Sequence, residues 1–169
     1  MKNLKIKNLS NKDIKGVNKL YNKYISETAF TFDIKEKSYE EKKEWANSFT
    51  KDSPYQCLVA YDGNNLIGFV SSRPFREKEA YFSSVETSVY IDEDYIGNGY
   101  GKILLDELFK RIDRFGVLRA YAFITKPNEM SEKLHNSIGF EAIGTLTKVG
   151  KKFDKYWDVG VFELSLPIK

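Results

Sequence analysis

Val85-Glu86-Thr87-Ser88-Val89-Tyr90-Ile91 runs into Asp92-Glu93-Asp94-Tyr95-Ile96, then Gly97-Asn98-Gly99-Tyr100-Gly101, then Lys102-Ile103-Leu104-Leu105-Asp106-Glu107-Leu108-Phe109. A β-branched run passes through an acidic turn into three glycines at alternate positions. Leu104, Leu105, Leu108, Ile112 and Phe115 then recur at helical spacing. Strand, glycine turn and helix start together make a seat for a phosphate. The first N–H groups of a helix have no partner within it, the macrodipole adds partial positive charge, and absent Cβ atoms let an anion approach the backbone. A tight turn alone would need fewer glycines.

Two familiar nucleotide loops do not fit. Lys102 follows a glycine, but Ile103 stands where a P-loop carries the magnesium-binding hydroxyl. In Gly97-x-Gly99-x-Gly101 the third glycine comes one residue too early for the dinucleotide fingerprint.

Composition narrows the class. The 169 residues suit one domain with a full core, and 41% apolar with 15% aromatic residues argues against disorder. Lys and Arg exceed Asp and Glu by 27 to 24, a balance that suits an anionic small ligand and does not argue for nucleic acid. Lys2, Lys5 and Lys7 alternate with Leu4 and Ile6 as in a first strand, not as in a targeting arm. No run approaches the roughly twenty apolar residues of a membrane span. The single cysteine, Cys57, lies in an apolar run, so no disulfide can form within the chain and a cytoplasmic location is expected.

The remaining pattern reads as follows. A strand covers 3–9, and Ser10-Asn11-Lys12-Asp13 opens a helix with Ile14, Val17, Leu20, Tyr21 and Tyr24 on its apolar face. Thr28 to Asp33 is an aromatic connection, and Ser38-Tyr39-Glu40-Glu41 is a capping box for a second helix bearing Trp45 and Phe49. Tyr55 to Tyr61 and Leu66 to Ser72 flank Asp62-Gly63-Asn64-Asn65 as a hairpin. Ala80 to Ile91 reads as one long strand and Arg119 to Thr125 as another. Asn128 to Ser137 reads as a short helix closed by Gly139, and Phe140 to Leu146 and Tyr156 to Leu164 end the sheet. The order βααβββαβαββ predicts a single α/β domain, 1–169, built on a mixed sheet flanked by helices.

Ile96-x-x-Gly99-x-Gly101 after an extended strand resembles the pyrophosphate loop of the GNAT acetyltransferase superfamily, although Ile96 stands where Arg or Gln is usual. Within it the chain is similar to the phosphinothricin and methionine sulfoximine N-acetyltransferases. The shared residues are Tyr21-Asn22, Thr28-Ala29-Phe30-Thr31-Phe32-Asp33, Trp45, Pro74-Phe75-Arg76, Ala80-Tyr81, Val85-Glu86-x-Ser88-Val89-Tyr90, Asn128-Glu129-x-Ser131, Leu134-His135-x-x-x-Gly139-Phe140 and Val149-Gly150-x-Lys152-Phe153 through Asp158. Lys151, Asp154 and Tyr156 depart from the family's usual aromatic, Gly and Trp.

The resemblance implies acetyl-CoA as cosubstrate, no metal, and a homodimer. Asn98, Gly99, Tyr100, Gly101 and Lys102 would hold the pyrophosphate. Splayed parallel strands at Ser88–Ile91 and Ala120–Ile124 would receive the pantetheine on main-chain groups of Val89 and Ile91, with the Val89 N–H facing the thioester oxygen. Asn128 would bond the pantetheine, or serve as a plain helix cap, or both.

Glu86 shares a strand face with Ser88 and is the candidate general base for an ammonium acceptor; a salt-bridged carboxylate is the alternative. His135, the only histidine, would protonate the leaving thiolate or play a structural part. Arg76 is the leading clamp for an acceptor carboxylate, with Arg73 and Lys152 behind it, since guanidinium binds carboxylate through two parallel bonds. Phe30, Phe32 and Tyr81 would wall the acceptor pocket or pack the core. The expected reaction is direct acetyl transfer to a small amino acid or analogue. Rival readings are acetylation of peptide or protein N-termini, and a coenzyme A-binding sensor without turnover.

Overall fold

A computed structural model describes residues 3–167, so Lys2 lies outside the described residues. The elements are β1 (Leu4–Asn8), α1 (Ile14–Glu27), α2 (Tyr39–Asn47), β2 (Cys57–Asp62), β3 (Asn65–Pro74), β4 (Ser84–Ile91), α3 (Tyr100–Ile112), β5 (Arg119–Lys126), α4 (Glu129–Asn136), β6 (Glu141–Lys152) and β7 (Lys155–Ser165). Among the described residues the seven strands form one sheet in the order β1-β2-β3-β4-β5-β7-β6, and only the β4–β5 pair is parallel.

Helical periodicity accounts for both layers. Leu104, Leu105, Leu108 and Ile112 of α3 bury one stripe against Leu58, Val70, Val85, Ala120 and Phe162 of the sheet. On the opposite face Val17 and Leu20 of α1 pack on Val59 and Phe69, with Trp45 of α2 against the same cluster. The Ser38 capping box is complete: its hydroxyl accepts from the Glu41 N–H while the Glu41 carboxylate accepts from the Ser38 N–H.

Two boundaries differ from the sequence reading. The strand expected from Ala80 begins at Ser84, because Glu79–Tyr81 is a 3-10 turn. Pro74 ends β3, so residues before Ser84 have no ladder to join. β6 continues past Leu146 to Lys152, with register shifts between Ala142 and Gly144 and between Leu146 and Gly150, and Phe153 and Asp154 turn into β7 with φ of 52° and 55°. Such a two-residue turn with positive φ is the connection that matches strand twist, but the shifts break the period-2 pattern that would announce the strand.

The β4–β5 pairing covers only Ser84↔Arg119, Val85↔Ala120 and Glu86↔Tyr121. Beyond it β4 stays bonded to β3 as far as Ile91↔Gly68, and β5 to β7 as far as Lys126↔Asp158. The two parallel strands therefore diverge while each keeps its outer neighbour. The Asp92 N–H donates to the Ile67 carbonyl at 2.8 Å. Alternation of backbone direction along a strand then turns the Val89 and Ile91 main-chain groups toward the gap.

Gly68 makes this ladder possible. A Cβ there would stand 2.3 Å from the Tyr90 carbonyl oxygen, a backbone atom that cannot step aside. Gly68→Ala is expected to cost about 1–3 kcal/mol of folding stability, measurable by urea unfolding, and an unchanged midpoint would show that β4 is free to shift.

Candidate active site

Two clefts meet at the gap. The first, about 440 Å³, opens on the α3–α4 side and is lined by Val89, Ile91, Tyr100, Gly101, Asn128 and His135 among others. The second, about 560 Å³, lies under α1 and α2 and includes Arg73, Glu86, Phe32, Asp33, Lys42 and Trp45. Phe30, Ser88, Tyr90, Phe123 and Thr125 border both, so the gap joins them.

In the first cleft the glycines divide their work. Gly97 and Gly99 have φ of 82° and 79°, and Gly99 is the N-cap of α3. Gly101 instead permits close packing, since a Cβ there would sit 2.8 Å from a Leu134 methyl of α4. The first helical bond runs from the Ile103 N–H to the Gly99 carbonyl. The N–H groups of Tyr100, Gly101 and Lys102 precede it and lack intrahelical acceptors. Asn98 folds its amide back onto the Tyr95 and Ile96 carbonyls at 3.3 Å, which leaves its main chain as the group available to a ligand. The Lys102 ammonium lies 3.2 Å from Asp106 on the exposed face of α3. Ile96 lines the cleft, so the position of the usual Arg or Gln presents an apolar side chain.

Asn128 is a helix cap: its Oδ1 accepts from the Ser131 N–H at 3.1 Å. It also borders the cleft, and its Nδ2 donors are not used by that cap. The Ile91 carbonyl already accepts a hydrogen bond from the Tyr24 hydroxyl at 2.7 Å. Val89 thus offers the more open main-chain groups in the gap.

In the second cleft Glu86 is half-buried and forms no hydrogen bond or ion pair among the described residues. Burial raises its carboxyl above the ordinary value, and the fields of Arg76 and then Arg73 oppose the rise. Arg73 faces Glu86 across the β3–β4 ladder and lines the cleft. Arg76 lies outside the lining, stacked on Phe75 at 4.3 Å with its guanidinium donating to the Phe75 carbonyl. Tyr81, 43% exposed, packs edge-on against Phe75 and also lies outside the lining.

Phe30 and Phe32 border the second cleft. Lys152 supports them from behind: it is buried and its ammonium donates to the Thr31 carbonyl at 2.8 Å. Gly150 admits the Phe32 ring, whose atoms come within 2.2 Å of where a Cβ would be. Lys42, Asp33, Ser71 and Phe123 were not singled out by sequence reasoning. Lys42 hides in Glu40-Glu41-Lys42-Lys43-Glu44, which reads as a solvated face. Its spacing of three from Trp45 is the one signal that it shares the buried side.

His135 is buried, edge-on to Phe140 at 4.9 Å. Its Nδ1 lies 2.8 Å from the Ser131 carbonyl, which can only accept, so Nδ1 carries the proton. A neutral ring then leaves Nε2 unprotonated. Burial lowers the His135 pKa below its ordinary value, opposed by the Ser131 bond. A depressed value means stability that is full above the unfolded pKa of about 6.5 and lost as pH falls through the folded one. Nitrogen-detected spectra should show the Nδ1–H tautomer, titrating below about 6.5; a ring doubly protonated at pH 7 would contradict this geometry.

Residues 6–161 match the acetyltransferase (GNAT) domain family. Over 156 residues the chain is 42% identical to a phosphinothricin N-acetyltransferase of Streptomyces coelicolor, covering 91% of each. It is 30% identical over 155 residues to an L-methionine sulfoximine/L-methionine sulfone acetyltransferase of Pseudomonas aeruginosa, covering 91% of this chain and 90% of the relative. A solved phosphinothricin acetyltransferase of Sinorhizobium meliloti, in complex with acetyl-CoA, superposes with a TM-score of 0.91 at 26% identity, over 96% of this chain and 88% of that one. The overall fold is thus a shared one, and the chain belongs to the GNAT acetyltransferase family.

Proposed function

We propose that this acetyltransferase moves the acetyl group of acetyl-CoA to the amine of a small amino acid or analogue, of the phosphinothricin or methionine sulfoximine type, within a ternary complex. The observation that carries the reading is the junction itself. One cleft brings the Val89 N–H to the gap, the other brings Glu86 to it from the opposite face, and five residues border both.

The chemistry follows from that arrangement. The diphosphate of acetyl-CoA sits on the N–H groups opening α3, and the thioester reaches the gap along Val89. Glu86, directly or through a water, takes a proton from the acceptor ammonium. The freed amine attacks the thioester carbon, and the Val89 N–H stabilises the oxygen that becomes negative. The C–S bond breaks, and the thiolate takes the second amine proton by way of Glu86 or water. Of the two roles open to His135, the acid would need an imidazolium, which its burial opposes; we assign it to holding α4 through Ser131. Arg73, beside Glu86, takes the α-carboxylate. Phe30, Phe32 and Trp45 close the second cleft around a small acceptor, which favours it over an extended peptide.

We further propose a homodimer formed through the β6–β7 edge. Ile143, Leu146, Val149, Phe153 and Tyr156 leave an apolar strip on that edge more than 40% exposed at each position. The protein is read as cytoplasmic, with Cys57 buried and free and no nucleic-acid or membrane partner. Among the described residues no helix is long and apolar enough to cross a membrane.

Thiol release from acetyl-CoA on adding phosphinothricin, methionine sulfoximine or common amino acids tests the reaction; acetylation of a peptide and of none of these would end the small-acceptor reading. Glu86→Gln should lower kcat/KM by about 10²–10⁴-fold with acetyl-CoA binding retained. The raised Glu86 carboxyl stabilises the fold only below its unfolded value near 4.3, and that contribution is lost as pH rises through the folded value. The Gln variant should therefore melt no lower than wild type at pH 7. For the assembly, Leu146→Lys with Val149→Lys should convert a dimer to a monomer in sedimentation; a wild-type monomer would rule the interface out.

A further inference from the structure

Lys42 is 3% exposed, yet its ammonium makes no hydrogen bond and no ion pair among the described residues. It lies 3.6 Å from the centroid of the Tyr21 ring and 4.2 Å from that of Trp45, and it borders the second cleft. Asp33 is the carboxylate that acts on it most, but Asp33 already holds the Tyr21 hydroxyl at 2.8 Å and the Lys37 ammonium at 3.1 Å. Two aromatic faces attract a cation without replacing the water it has lost. Desolvation accordingly lowers the Lys42 pKa to about 8, with Asp33 and Cys57 opposing and Lys37 and Arg73 adding to the fall. A lysine held this way beside a cavity presents its ammonium to an anionic or oxygen-bearing ligand.

The ladder says which end of a ligand could reach Lys42. The floor of the cleft consists of three rungs, Arg73↔Glu86, Ser71↔Ser88 and Phe69↔Tyr90. Successive rungs on one face are roughly 6–7 Å apart. Tyr21 packs on Phe69 and Tyr90, with centroids at 6.4 and 5.2 Å, so the cation over Tyr21 belongs to the far end from Glu86. An α-carboxylate is one carbon from its amine and must stay with Arg73 when the amine is at Glu86. A group carried on a two-carbon side chain travels further, over Ser71 toward Lys42.

We infer that Lys42 sets acceptor choice: its ammonium, held between Tyr21 and Trp45, receives an oxygen of an oxo or oxyanion group on the acceptor side chain, such as a phosphinate or sulfone. This rests on the reading of the second cleft as the amino-acid site. It assigns Lys42 to side-chain recognition and Arg73 to the α-carboxylate, two cations with separate tasks. The group needs no proton transfer and no covalent step.

The test compares phosphinothricin, methionine sulfone and methionine as acceptors at saturating acetyl-CoA, with wild type, Lys42→Met and Lys42→Arg. Methionine and its sulfone share one skeleton and differ only in the two oxygens. Wild type should favour the two oxygen-bearing acceptors by about tenfold or more in kcat/KM, because a site built around a polar partner discriminates against the analogue lacking it. Lys42→Met should lose that preference, chiefly through KM for the acceptor, with KM for acetyl-CoA and activity on methionine changed by less than about threefold. Lys42→Arg should keep the preference. A wild type without preference overturns the inference and requires no variant to fold. Equal loss on all three acceptors also overturns it, since that marks α-carboxylate binding or packing. Failure of wild type to acetylate any of the three overturns the amino-acid reading of the cleft together with it.

Discussion

The structure depends on the separation of two parallel strands that begin as neighbours. β4 and β5 share three register positions and then part, while each remains bonded to its other side. Main-chain groups in a sheet interior normally find partners, and leaving them unpaired is costly unless a ligand or water takes them. The parted segment opens a passage through the sheet, which joins the cleft on the α3–α4 side to the one on the α1–α2 side. A fully paired sheet with the same side chains would keep the two clefts apart.

The acceptor side is shaped by contacts that reach far along the chain. The connection Thr28–Asp33 has little regular structure, and it is held by the end of β6 and by α1. Lys152 donates to the Thr31 carbonyl, Gly150 leaves room for the Phe32 ring, and the Tyr21 hydroxyl bonds both Thr31 and Asp33. Burial first, and then the Asp33 carboxylate, raises the Tyr21 pKa to about 12 against the opposing Thr31 bond, so its hydroxyl stays protonated and available as a donor to Asp33. Residues some 120 positions apart thus define one wall of the second cleft, which the chain's two halves build together.

Glu86, Lys42 and His135, which border the two clefts, are displaced toward their neutral forms, in each case with burial as the largest cause: Glu86 upward, Lys42 and His135 downward. For Glu86 the rise brings a carboxylate closer to the range where it can accept a proton and return it. For His135 the same physics removes the charge that an acid would need, and its Nδ1 bond to Ser131 gives the imidazole a fixed orientation. Function here follows from where each group is desolvated, more than from which residue type is present.

Much of the fold was legible in the sequence because local rules govern it. The Ser38-x-x-Glu41 box, the Gly63 turn, the leucine stripe of α3 and the glycines at its start each carry their own short-range signal, and together they give the element order and one cleft. The strand boundaries at Ser84 and Lys152 were less visible, since they depend on where a neighbour's ladder stops or shifts register. The acceptor cleft was the hardest part to read. Phe30, Phe32 and Glu86 could be named, but Arg73 rather than Arg76 lines it, Tyr81 stands aside, Lys152 serves as a brace, and Lys42 looked like one more surface charge. Sequence by itself determined most of the secondary structure, the glycine loop opening α3 and the family, because these rest on short-range signals along the chain. Tertiary structure alone decided which charges lose their water and face the cavity, because desolvation depends on packing between segments that periodicity cannot relate.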